Sequence, residues 1–264
     1  MVRYILAIAL ATHLFAASAE EAVAKELPRD QEAAAIQSAE TKGLTIYQHD
    51  HAAAVASDAA MQVPAFKVDK RVQGWLTEEQ QGQIVVTFID QSPSALYRVI
   101  VSKDGVAGAV TALESPAQLT AYESAAATAR ATALAAKFEP CSERYNPVML
   151  HSADASAETW VVYLLPGTAK NNTVPIGGTY RIETIGTTVA SQRGFTRTCI
   201  ALQTDPRAAD VFISHLLDPT PTEAHVYWSL WVKKPMYVAT SANGTIWVVD
   251  GNKIRLVERK AAKD

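Results

Sequence analysis

The chain has 264 residues and a formal net charge of -3; hydrophobic residues make up 48% and charged residues 19%. Such a composition supports a buried core in one large or two small domains and excludes wholesale disorder. The slight acidic excess argues against nucleic acid as a partner, because no surplus of cations is present to neutralise phosphate.

Residues 1–19 read as a secretory signal peptide. Arg3 supplies the positive start, Tyr4 to Ala17 the apolar run, and Ala17-Ser18-Ala19 the small-residue cleavage pattern. The run is shorter than the ~20 residues a membrane span needs. The expectation is a periplasmic or secreted protein with no membrane span after signal cleavage. Residues 20–43 are rich in Glu and Ala around Pro28 and predict a helical or flexible linker ending at Gly43. Asp50 is placed to cap an Ala-rich helix reaching about Met61, before Pro64 stops it.

From Val72 the apolar period changes to two. Val72–Thr77, Ile84–Ile89, Leu96–Val101 and Val106–Ala112 predict an antiparallel meander, with Asp104-Gly105 turning between the last two strands. Ser115 and Pro116 read as the start of an Ala-rich helix that continues to Phe138 and ends before Pro140. Beyond Cys141 the pattern is almost all β. Short runs are Val148–His151, Trp160–Leu165, Thr179–Ile185, Thr188–Gln192, Thr196–Leu202, Val211–His215, Ala224–Trp231, Met236–Thr240, Thr245–Val249 and Lys253–Val257. The fold class is therefore α+β: helices packed on an antiparallel meander over residues 44–140, and a β-rich sheet or sandwich over 141–264. Whether these halves are separate domains or share one sheet is open at this level.

Cys141 and Cys199 are the only cysteines. In an oxidising compartment an even pair predicts a disulfide, and the absence of C-x-x-C argues against thioredoxin-type redox chemistry. The stretch from Ser214 to His225 carries two imidazoles and two carboxylates around Pro219 and Pro221. His215, Glu223 and His225 are the ligand types of a Zn²⁺ site, and in a strand Glu223 and His225 would share a face. The spacing matches no zinc signature, and strand-end histidines with turn-forming acids explain it equally. His49-Asp50-His51 reads as a helix cap flanked by solvated rings. Trp228 and Trp231, three apart, would point to opposite faces of a strand; one would be core, and the other could bind sugar or protein. Neither a G-x-S-x-G elbow nor a G-x-G-x-x-G loop occurs.

His49-Asp50, Gly74-Trp75, Leu96-Tyr97-Arg98, Tyr145-Asn146, Trp160 to Pro166, Gly177-Gly178-Thr179-Tyr180-Arg181 and His215 to Val226 resemble a group of uncharacterised secreted bacterial proteins with no established activity. The resemblance implies a bacterial exported protein and carries over no functional residue. The leading reading is a non-catalytic envelope module, without cofactor, that binds another envelope protein or a cell-wall component. The rival is a metal-assisted hydrolase in which Zn²⁺ on His215, Glu223 and His225 activates water, with Glu223 or Asp218 as base.

Overall fold

The computed structural model describes residues 26–151, 158–168, 170 and 172–259. The signal-peptide reading of residues 1–19 lies outside them. The first element is one continuous helix, α1 (Arg29–Ala60), which takes in the second part of the expected linker. Pro28 stands at its N-cap, and Asp30 and Glu32 in the first turn suit the positive end of the helix dipole. Gly43 does not end it, and Asp50 lies inside it rather than capping it. The buried positions are mostly small: Ala39, Gly43, Ala52, Ala53, Ala56 and Ala60, with Ile46 between. Small residues let neighbouring elements come close along the whole helix.

A short helix, α2 (Pro64–Val68), leads into the meander β1 (Gly74–Gln80), β2 (Gln83–Ile89), β3 (Ala95–Val101) and β4 (Thr111–Ala117), antiparallel and in chain order. Ala52, Ala56 and Ala60 of α1 close one face of it over Val86, Phe88, Leu96, Tyr97, Val99 and Val101. Helix α3 (Ala121–Leu134) begins later than Ser115 and Pro116, which fall in β4. The start is set at Thr120 by a capping box. Its hydroxyl oxygen accepts from the Glu123 N–H at 3.1 Å, and the Thr120 N–H donates to the Glu123 carboxylate at 2.8 Å.

The next sheet is β5 (Tyr145–His151), β6 (Thr159–Pro166), β8 (Tyr180–Ile185) and β9 (Thr188–Gly194), antiparallel in that spatial order. A two-residue pair, β7 (Thr173–Val174) with β10 (Leu202–Gln203), lies apart from it. Alternation along β5 and β6 buries both faces of the larger sheet. Met149, Trp160, Val162 and Leu164 turn to α3, where they share a cluster with Leu76 and Ile89 of the meander. Val148, Tyr163 and Leu165 turn the other way, toward Ile46 of α1. The clusters therefore draw on residues from both sides of position 140.

The last unit is β11 (Val211–His215), α4 (Glu223–Val232), β12 (Met236–Thr240), β13 (Thr245–Asp250) and β14 (Lys253–Arg259). β11 runs parallel to β12, and the later pairs are antiparallel. The sequence reading of Ala224–Trp231 as a strand is corrected here: the segment is helical. Parallel neighbours need a long crossover, and α4 supplies it. Buried residues occupy almost every side of α4, from Ala224 to Ser229, so it lacks the polar stripe that marks a surface helix. Val226 of α4 crosses α1 at Gly43, where a Cβ would stand 2.4 Å from Val226 Cβ.

Cys141 and Cys199 are joined, with Cα atoms 5.3 Å apart, as expected. Gly177 and Gly178 sit against this staple. A Cβ on Gly177 would meet Ile200 N at 2.0 Å, and one on Gly178, at φ +88°, would meet Cys141 Cβ at 2.4 Å. Among the described residues no helix is long and apolar enough to cross a membrane.

Candidate functional site

His215 ends β11, and Asp218 follows it in the loop before α4. His215 Nε2 lies 2.9 Å from Asp218 Oδ2, while Arg193 of β9 donates to both oxygens of the same carboxylate at 3.2 and 2.7 Å. Burial opposes ionisation of Asp218. The hydrogen bonds from His215 and Arg193 outweigh it and hold the carboxyl well below the usual range. His225 packs its ring edge-on against His215 at 4.6 Å. Its Nδ1 accepts from the Thr222 N–H at 3.0 Å, closing the first turn of α4. Burial, with help from the nearby His215, pushes His225 well below the ordinary imidazole value.

His215 and His225 thus come together as the sequence allows, but Glu223 does not join them. Two residues apart on a helix means a rotation of roughly 200°, where a strand would have put both on one face. Glu223 instead accepts from the Tyr163 hydroxyl at 3.1 Å and faces Arg181 at 3.7 Å. Burial and the charge of Glu223 push the Tyr163 phenol up. Arg181 is also paired with Glu183. Among the described residues no group of three or more His, Cys, Asp or Glu side chains is arranged to hold a metal ion. His215 and His225 are each 3% exposed. Their evident chemistry is to tie β9, β11 and α4 together.

The His49-Asp50-His51 triplet separates for the same helical reason. Asp50 accepts from Tyr227 Oη at 2.8 Å and Asn146 Nδ2 at 3.2 Å, joining α1 to α4 and β5. Its burial raises its pKa. His49 turns to β1, where its Nδ1 shares a 2.8 Å hydrogen bond with Thr77 Oγ1. Burial lowers its pKa to about 4. His51 stacks on Tyr47.

Trp228 and Trp231 lie on a helix and touch each other, so they do not take the opposite strand faces of the sequence reading. Trp228 is buried and donates Nε1–H to Thr179 Oγ1 at 3.0 Å. Trp231 is 39% exposed and meets Trp228 edge-on at 5.4 Å. It lines a recess of about 390 Å³ with Thr168, Lys170, Asn172 and Thr204. Lys234, on the rim, donates Nζ–H to the carbonyls of Asp205 and Ala208 at 2.8 and 2.6 Å, fixing that wall. An open indole face beside amide, hydroxyl and ammonium groups can stack on the apolar face of a sugar while hydrogen-bonding its hydroxyls. No family model, curated protein or solved structure matches the chain, so the site rests on its own geometry.

Proposed function

We propose that the protein is an exported, non-catalytic binding module of the bacterial envelope, and that its ligand is a saccharide of the cell wall held in the Trp231 recess. The observation that carries this reading is the exposed Trp231 indole set among Thr168, Asn172, Thr204 and Lys170 in a recess of about 390 Å³. That volume lies within the usual span of small-ligand sites. The Cys141–Cys199 bond supports the exported location, since such bonds persist outside the reducing cytosol. No observation favours the hydrolase reading: Glu223 is engaged by Tyr163 and Arg181, away from His215 and His225.

The experiment is a fluorescence titration with oligomers of N-acetylglucosamine. Trp160, Trp228 and Trp247 are sealed in the core and Trp75 packs on the meander cluster outside the recess, so a ligand in the recess changes chiefly the Trp231 emission. A saturable change that Trp231→Ala abolishes, with the far-ultraviolet circular dichroism intact, is the expected result. An unchanged emission, or a change that survives in the variant, would refute the saccharide assignment.

A further inference from the structure

A second recess, of about 260 Å³, lies at the seam of α1, β1, α3 and the end of β5. Lys42 and His49 of α1, Glu79 of β1, Tyr122 of α3 and His151 of β5 all line it. Elsewhere the buried acids are each held by at least two partners: Asp50 by Tyr227 and Asn146, Glu123 by Thr87 and Arg98, Glu223 by Tyr163 and Arg181. The heads in this recess are different. His49 is 4% exposed and fixed through Nδ1 to Thr77, yet its Nε2 has no hydrogen-bond partner among the described residues. The Tyr122 hydroxyl and the His151 nitrogens have none either; both rings rest edge-on against Trp160, at 4.9 and 5.2 Å.

None of these atoms is sealed from solvent: His151 is exposed and Tyr122 partly so, and with His49 Nε2 they open onto one recess, where a ligand can meet them. The formal charges of the lining side chains balance, with one ammonium from Lys42 and one carboxylate from Glu79. Around it, Lys42 acts on Glu183, which Arg181 also pairs, and Glu78 and Glu79 both act on Tyr122. A recess of balanced charge favours a ligand that is itself dipolar over one with net charge.

We propose that this recess binds a small zwitterion, a free amino acid or a short peptide, with its carboxylate held by Lys42 and Tyr122 and its ammonium by Glu79. His49 meets the ligand through Nε2. Because burial keeps that ring neutral at pH 7, it adds a hydrogen bond without upsetting the charge balance.

The test uses the full chain with ¹⁵N-labelled histidine and follows the His49 and His151 ring resonances. The probes are alanine, alanyl-alanine, and the half-ligands acetate and ethylammonium. The expected result is a saturable shift of both rings by at least one zwitterion and none by either half-ligand at equal concentration. Lys42→Ala and Glu79→Gln change exposed side chains. Each is expected to weaken the zwitterion by at least about tenfold, the scale of one charge-assisted hydrogen bond. Tighter binding of alanine identifies a free amino acid as the ligand; tighter binding of the dipeptide identifies a peptide. Silent rings up to about 50 mM, well past the weakest useful affinities, would overturn the proposal. So would half-ligands that match the zwitterions. Because the saccharide titration reads Trp231, failure at either recess is seen independently of the other.

Discussion

His49 and Asp50 are neighbours in sequence, yet burial moves their pKa values in opposite senses with respect to stability. His49 is protonated below about 6.5 in the unfolded chain and only below about 4 when folded. The unfolded state therefore binds more protons between those values. The His49 contribution is fully present above pH 6.5 and is lost as pH falls toward 4, a change of up to about 3 kcal/mol. His225 acts with the same sign. Asp50, whose pKa is raised from 3.8, acts with the opposite sign: its contribution is present at low pH and fades as pH rises through its folded value. Urea unfolding across pH 4–7 is expected to show stability rising with pH, and His49→Gln is expected to flatten the slope. An unaltered slope in the variant would mean that His49 is not neutral in the fold. These roles were hidden in the sequence because Asp50 after a histidine looks like a helix cap. By contrast, Thr120 and Glu123 sit at the spacing of a capping box, and that signal marks the true start of α3 better than Ser115 and Pro116 do.

At the level of elements, the most informative departure is α4. Its run of Val226, Tyr227, Trp228, Leu230 and Trp231 has β-branched and aromatic character, and the polar residues at helical spacing, His225, Ser229 and Lys233, are too few to mark a solvent face. A helix packed on several sides leaves the same trace as a buried strand. What makes it helical is the parallel pairing of β11 with β12, a long-range relation that no local pattern records. Only strand geometry would align Glu223 with His225; on the helix Glu223 turns to Tyr163 and Arg181 instead. On α4 Trp228 and Trp231 stand only roughly 60° apart and touch edge-on, so the one indole is buried and the other half-exposed by depth in the fold and not by lying on opposite faces. Gly43, at the α1–α4 crossing, offers a direct test. Gly43→Ala gains about 1 kcal/mol of helix propensity. The new methyl would meet Val226 Cβ at 2.4 Å and the Glu223 carbonyl at 2.8 Å, and the second is backbone that cannot rotate away. Overpacking of this kind costs typically 1–3 kcal/mol or more. A net loss of about 1–2 kcal/mol in urea unfolding is expected; a gain would show that the two helices separate freely.

Across the whole molecule, the α+β class and the disulfide were legible in the amino-acid sequence. The strands of the first meander alternate cleanly, and a single cysteine pair admits one intramolecular partner. The way the units share a core was not legible, because it depends on which side chains of β5 and β6 face which helix. The second recess was equally hidden: Lys42, Glu79, Tyr122 and His151 are scattered along more than a hundred positions and meet only after four elements have assembled. β6 lies inside its sheet between β5 and β8, with α3 closing one face and the α1 side closing the other. Freeing its backbone amides demands that both helical layers lift together, so partial opening cannot reach them. In deuterium oxide the Val162 and Leu164 amides are expected to exchange among the last in the protein, at a rate set by global unfolding. If they exchanged as fast as those of the edge strand β9, the layers would be opening one at a time.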